Sequence, residues 1–335
     1  MPEPGRLVLS VIIPVFNGEE TLAACLDAIT AQRGFELGRD YEVIVVDDGS
    51  RDASAAIAER YPVRLIRLER NRGRIVARET GARAARSERL LFIDCRVIAA
   101  PDLLASYQRL GLEICYAGDY GDEEGARESL VDRLYLALRR LYYRPHYPQR
   151  EPVITLGAEN FFAVPKGSAA LFIDRETFLT ALPERKDATV NDDARLFERI
   201  VLGQGRPIHR VRALRVRYLQ RRSLAAQARW LIGRGVLFAD YLLVRRARYL
   251  GAYLLSLALL AGLAALAWSE PALAVALLAG AALLYLVAVA WIARSLRDLL
   301  PFAGLLLVMA ALFWWGVTRG LARRVVGRGA ARRRR

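Results

Sequence analysis

Residues 41–50 read YEVIVVDDGS. Tyr41 and the run Val43, Ile44, Val45 and Val46 are apolar and mostly β-branched. A short continuous apolar run of this kind reads as a strand buried on both faces, as in a parallel sheet. Asp47 and Asp48 follow at once, then Gly49 and Ser50. The order carries two carboxylates out of a sheet into a loop, and open α/β sheets hold ligands in the crevice outside their strand ends. The competing reading is structural, an Asp-Gly turn that caps a helix.

The flanking sequence supports the sheet. Upstream, residues 7–15 are apolar and β-branched until Asn17 and Gly18 break the run, which reads as a first core strand and not a signal peptide. Residues 19–31 carry Leu22, Leu26 and Ile29 at helical spacing. Downstream, Ser50 or Asp52 is placed to cap a helix reaching residue 60. Residues 63–68 form a third strand, Asn71 and Gly73 a turn, 75–85 a helix, and 89–93 a fourth strand ending at Asp94. This β-α-β-α-β-α-β order predicts an α/β fold with a mostly parallel mixed sheet and right-handed crossovers. Further on, 101–110 and 176–182 read as helices and 112–117 as a strand. Residues 119–128 read as an acidic loop and 142–150 as an extended proline-containing segment. Strands are expected at 160–164 and 169–173, around a Pro165-Lys166-Gly167 turn. Asn191, Asp192 and Asp193 open a helix reaching residue 202. The alternation over 208–216 predicts a half-exposed edge strand. Residues 130–143 carry Leu134, Leu138 and Leu141 with Arg139 and Arg140, which suits a helix at a membrane interface or an ordinary domain surface.

Composition divides the chain. It has 335 residues, is 54% hydrophobic and carries a net charge of +15. The apolar excess lies at the back. Residues 250–268 and 271–292 each match one membrane span and form a hairpin around Ser269, Glu270 and Pro271. Residues 299–317 nearly reach the length of a third. Four regions are therefore expected: a soluble-looking α/β domain at 1–220, basic juxtamembrane helices at 221–248, a membrane region of two or three helices at 249–317, and an arginine-rich tail at 318–335. Arg245, Arg246 and Arg248 before the first span and Arg294 and Arg297 after the second all point to the cytoplasmic face of the plasma membrane. A third full span would put the basic tail on the opposite side, against that rule, unless the stretch is re-entrant or interfacial. The positive charge suits an anionic membrane face. No module combining stacking aromatics with basic residues points to nucleic acid. Three cysteines without CxxC spacing, Cys25, Cys95 and Cys115, show no zinc or disulfide framework and suit a reducing compartment. No GxGxxG or GxxxxGK[ST] is present.

Polar groups gather at strand ends and helix starts: Pro14 to Asn17, Asp47 with Asp48, the segment with Arg74 and Arg78, Asp94, and Asp192 with Asp193. Arg74 and Arg78 lie one helical turn apart and can share a phosphate-facing side. In the stretches SVIIPVFNGEETLAACLDAI, YEVIVVDDGSRDAS, NRGRIVARETGARAA, ERLLFIDCRVIAAPDLL and NDDARLFERIVLGQG, over residues 7–216, the chain resembles the family 2 glycosyltransferases of the GT-A fold. The membrane hairpin resembles the subset acting on lipid-linked acceptors. The resemblance implies that Pro14, Val15, Phe16, Asp47 and Asp48 line the base and ribose of a nucleotide-sugar donor, and Asn17 beside them is a further donor-binding candidate. It implies that Arg78 sits by the nucleotide, with Arg74 beside it by spacing, that Asp94 belongs to the Asp-x-Asp element holding Mg2+ or Mn2+, and that Asp192 or Asp193 is the general base of an inverting transfer. Asp192 also suits an N-cap.

Two departures stand out. The Asp-x-Asp element reads Asp94-Cys95-Arg96, and an arginine cannot ligate metal. Asp94 can hold the ion with another group such as His209, Arg96 can itself neutralise the diphosphate, or donor use has been lost. Gln227-Ala228-Arg229-Trp230 is one residue short of the Gln-x-x-Arg-Trp of processive synthases, which argues against polymer extrusion. Arg229 and Trp230 then either approach the donor diphosphate or anchor the interface. The expected function is sugar transfer from a nucleotide-sugar to a lipid-linked acceptor. Transfer to a polyprenyl phosphate, or donor binding without turnover, is the alternative.

Overall fold

The computed structural model describes residues 8–121, 129–144, 146, 147, 149–167, 169–184, 192–219, 221, 224–243, 247–293 and 295–332. The chain divides into two compact units. The first comprises Met1–Glu128, Tyr142–Ala188 and Asp192–Gln220, the second Ser129–Leu141, Thr189–Asn191 and Arg221–Arg335. In chain order the elements are β1 (Leu9–Val15), α1 (Glu19–Thr30), β2 (Tyr41–Asp47), α2 (Ser54–Ala58), β3 (Arg64–Arg67), α3 (Arg74–Ala84), β4 (Arg89–Ile93), β5 (Val97–Ala99), α4 (Leu103–Leu110) and β6 (Cys115–Asp119). They continue with α5 (Leu130–Tyr142), β7 (Val153–Leu156), β8 (Ala170–Asp174), α6 (Arg175–Thr180), α7 (Asp192–Glu198), β9 (Ile208–Tyr218), α8 (Leu224–Phe238), α9 (Ala247–Ser269), α10 (Pro271–Ala293) and α11 (Leu296–Arg332).

In the first unit the sheet order is β3-β2-β1-β4-β8-β6-β9-β5, with β7 beside β9. β3, β2, β1 and β4 run parallel, and β8 lies antiparallel between β4 and β6. All seven residues of β1 and of β2 are buried, as their continuous apolar runs require. Period-two alternation sends Val11, Ile13 and Val15 toward Leu22, Cys25, Leu26 and Ile29 of α1. Ile12, Ile44 and Val46 go to the other face, with Ile75, Val76 and Ala82 of α3. Gly81 brings α3 close: a Cβ there would lie 2.4 Å from Ile12 Cγ2. β1 thus pairs with β2 on one side and β4 on the other, with α1 and α3 on opposite faces. This is the switch point where an open sheet has its ligand crevice.

Some expectations need correction. Residues 160–164 form turns rather than a strand, with Asn160 bonding back to Thr155 O and Gly157 N. β9 is not an edge strand, since it pairs with β6, β7 and β5. Its alternating arginines reflect the sheet's rim and one buried case, Arg210, which is 1% exposed. The Arg210 guanidinium donates to Gly118 O at 2.7 Å and His146 O at 3.4 Å. The acidic loop falls largely on residues 122–128, outside the described residues.

In the second unit, three helices among the described residues are long and apolar enough to cross a membrane: Tyr249–Ser269, Pro271–Ala293 and Leu296–Arg323. The stretch expected as a separate arginine tail continues α11 as helix to Arg332. α5 is amphipathic as expected, burying Leu134 and Leu136. It pairs Arg133 with Asp298 of α11 at 2.9 Å.

Candidate active site

The crevice is built by the loops after β1, β2 and β4 and the start of α3. Asp47 and Asp48 end β2, and Asp94 follows β4. By register Val15 lies opposite Asp47, and Ile12 opposite Phe92, which puts Asp94 level with Pro14. The two acid positions therefore flank the end of β1 at roughly 10 Å, two strand spacings.

The loops are laced together. Asn17, with φ +50°, has the only positive φ of a non-glycine among the described residues. Its N–H donates to Ser50 Oγ and its Oδ1 accepts from Arg51 N, each at 2.9 Å. Gly18 N donates to Ser54 Oγ, and Glu19 N to Asp52 Oδ2. Asp52 Oδ1 takes Ser54 N–H at the start of α2. Ser50 and Asp52 therefore spend their side chains at least partly on the β1–α1 loop, beyond the capping role expected of them. Pro14 and Val15 are buried, and Phe16 is 46% exposed at the rim.

Asp47 Oδ1 accepts from Ser50 N at 2.9 Å. Asp48 is 3% exposed, and its two oxygens accept from Arg72 N at 2.7 Å and Gly73 N at 2.8 Å. Burial pushes the Asp48 carboxyl above its ordinary value, against the pull of those N–H groups. Asp48 therefore fixes the turn that launches α3, and α3 carries Arg74 and Arg78 to the mouth.

There the two arginines meet two carboxylates. Arg78, with its side chain 1% exposed, donates through Nη2 to Asp94 Oδ1 at 3.0 Å and through Nη1 to Asp193 Oδ1 at 2.9 Å. Arg74 reaches Asp193 Oδ2 at 3.1 Å and Asp94 Oδ2 at 3.7 Å. Among the described residues, those from α3, the end of β4 and the start of α7 close a ring of two positive and two negative charges. Each carboxylate side chain is 19% exposed. Sequence spacing gave a shared side for the arginines but no hint that Asp94 and Asp193, 99 residues apart, share one guanidinium. Asp192 begins α7, and its side chain lies outside the described residues.

Arg96 donates weakly to Leu219 O at 3.5 Å. His209 cannot share a metal with Asp94. It is level with Cys115, Phe172 and Leu91, three residues short of Asp94 and three strands across, roughly 17 Å by strand geometry. Among the described residues no three His, Cys, Asp or Glu side chains are grouped to hold a metal. A divalent ion here would have the single carboxylate of Asp94, with phosphate oxygens and water completing its shell in the usual manner of Mg2+, and would compete with Arg78 and Arg74 for that carboxylate's oxygens. Arg229 and Trp230 lie in the second unit. Arg229 is exposed, and Trp230 is stacked by Arg221 and Arg234, with guanidinium carbons 5.4 and 5.1 Å from the ring centroid.

Sequence reasoning read Lys166 only as part of a turn. Its ammonium donates to Phe161 O and Val164 O and faces the Phe161 ring at 4.5 Å. Burial pushes it down to about 8. The one available signal was a lysine amid aromatic and apolar residues.

The sheet is doubly wound, and its switch point opens on acids and arginines at the strand ends. Residues 10–155 match the model of glycosyl transferase family 2. It is 36% identical over 102 residues to the uncharacterised glycosyltransferase YfnE of Bacillus subtilis, covering 29% of this chain and 25% of that one. It is 37% identical over 97 residues to the dolichyl-phosphate β-glucosyltransferase of Homo sapiens, covering 26% and 30%. The chain thus spans a third or less of the length of these relatives. In fold it resembles the mannosyltransferase PcManGT of Pyrobaculum calidifontis, solved with GDP-Man and Mn2+, with TM-score 0.58 and 18% identity over 94% of this chain and 87% of that one.

Proposed function

We propose that the chain is an inverting glycosyltransferase that moves a sugar from a nucleotide diphosphate to a lipid-linked acceptor at the cytoplasmic face of the plasma membrane. The observation carrying this reading is the Arg78 bridge, which holds the family's metal-site carboxylate, Asp94, and its catalytic carboxylate, Asp193, one guanidinium apart. The base and ribose of the donor lie over the ends of β1 and β2, by Pro14 to Asn17, Asp47 and Asp48. The diphosphate lies toward Asp94, Arg74 and Arg78, where cations offset the charge of the departing group. Asp94 would hold Mg2+ or Mn2+, which when bound supplies further charge for the leaving diphosphate. The acceptor oxygen attacks the anomeric carbon, the bond from that carbon to the diphosphate breaks with its electron pair, and the acceptor proton passes to Asp193. α9 and α10 cross the bilayer and keep the unit beside its lipid substrate.

A second reading, transfer to a polyprenyl phosphate, is favoured by the dolichyl-phosphate glucosyltransferase relative. A phosphate acceptor needs no base. Incorporation of label from radioactive nucleotide-sugars into organic-extractable lipid, with Asp193→Asn beside the wild type, tests the proposal. Loss of turnover by about 10²-fold or more with donor binding kept is expected for a general base. Unchanged turnover selects the phosphate acceptor, and no transfer from any donor by the wild type refutes both.

A further inference from the structure

The three apolar helices invite a reading as three spans, but their contacts forbid it. α9 ends at Ser269 and α10 begins at Pro271, so if each crosses once, the entry of α9 and the exit of α10 share one face. α11 starts at that face, three residues after α10 ends. Near its start, Phe302 and Ala303 pack with Val289 of α10, and Ala303 O accepts from Tyr285 Oη. A crossing α11 would carry Thr318 to the far side, beside the turn at Glu270. Instead Thr318 Oγ1 is 3.1 Å from Tyr253 Oη, and the Tyr253 and Trp314 rings are 5.3 Å apart. Tyr253 is six residues into α9, about 9 Å from its entry, while Ser269 lies about 24 Å further on. The start of α11 and Thr318 therefore sit near one face, although some 30 Å of helix separates Asp298 from Thr318.

The neighbours of α11 agree. α8 lies against its second half so closely that a Cβ at Gly235 would be 2.1 Å from Phe313 O, and one at Gly316 the same distance from Ile232 O. α8 exposes Arg229 and Arg234, which a crossing α11 would drag into hydrocarbon. The buried side of α11 faces protein, while Leu307, Val308, Trp314 and Trp315 form an exposed apolar face. Arg319 and Arg323 follow, exposed, at its end.

We infer that α11 is not a span but an in-plane anchor. It lies on the membrane face from which α9 enters, with its tryptophan-bearing side in the acyl boundary and its basic end among the lipid headgroups of that face. Amphipathic surface helices with aromatic and basic residues bind bilayers in this way. The arginine tail then obeys the charge rule it had been expected to break. The inference rests on α9 and α10 crossing, and the test separates the two claims. Glu20→Cys, Glu270→Cys and Ala330→Cys are made singly in the full chain and exposed to an impermeant maleimide in sealed membrane vesicles of each orientation, with wild-type labelling subtracted. Ala330→Cys labels in the same orientation as Glu20→Cys, and Glu270→Cys in the other. Labelling of Ala330→Cys with Glu270→Cys would make α11 a span and overturn the inference. Labelling of Glu20→Cys and Glu270→Cys together would remove the hairpin instead. Trypsin trimming of the wild-type tail in the same vesicles gives the same readout without substitution.

Discussion

Replacing Arg78 by methionine keeps most of the volume and removes the charge that joins Asp94 to Asp193. Opening a fully buried ion pair by deleting one partner costs about 3–5 kcal/mol, because the other charge is left unpaired. Here two carboxylates lose their closest cation, at 3.0 and 2.9 Å, but each side chain keeps 19% exposure and Arg74 remains at 3.7 and 3.1 Å. Solvent and Arg74 lower the expected loss to about 2–4 kcal/mol. At 5–15 kcal/mol, roughly the total stability of a typical domain, the variant still folds. The assay uses the distribution of two residue types. All three cysteines lie in the first unit and all five tryptophans in the second. Cys25 and Cys115 are 1% and 0% exposed, so pulsed thiol labelling of the full chain in urea reports unfolding of the first unit alone. Arg78→Met lowers the urea midpoint for thiol exposure and leaves the tryptophan transition in place. In an Asp94→Asn, Asp193→Asn background the same substitution costs little. An equal cost in both backgrounds would refute the ring and leave Arg78 as packing over Phe92, whose ring centroid lies 5.7 Å from its guanidinium carbon.

Gly49, at φ +72°, would place a Cβ 2.6 Å from the backbone carbon of Arg70. Gly49→Ala therefore combines backbone strain with a clash that no side chain can relieve, and costs about 2–4 kcal/mol in the same thiol assay. Lys166 titrates near 8 in the fold against an ordinary value of about 10.4. Over that window the unfolded chain binds more protons, so stability rises with pH. Lys166→Met should abolish the rise between urea midpoints at pH about 8 and about 10, and its persistence would assign the slope elsewhere.

How much the sequence disclosed depends on the range of the interaction. β1 to β4 were legible because their apolar runs and the Asn-Gly, Asp-Gly and Asn-x-Gly breaks are local signals. Residues 160–164 were misread because NFFAV has strand composition, whereas Asn160 closes the turn with its own side chain. β9 was misread as an edge because period-two arginines look solvated, while Arg210 finds carbonyl partners that only tertiary structure supplies. In the site, Asp47, Asp48, Asp94 and Asp193 were visible as acids after strands or at a helix start. The backbone clamp of Asp48 and the ring through Arg78 were not, since both join segments distant in sequence. His209 was attractive by residue type alone, and strand register removes it.

The most direct test of the account is a structure of the full chain with a nucleoside diphosphate and Mn2+. The nucleoside should lie over the end of β1 between Asp48 and Asp94, with Arg74 or Arg78 turned from Asp193 toward phosphate oxygens. An unbroken ring with the nucleotide bound elsewhere, or no binding of any nucleoside diphosphate, would contradict it.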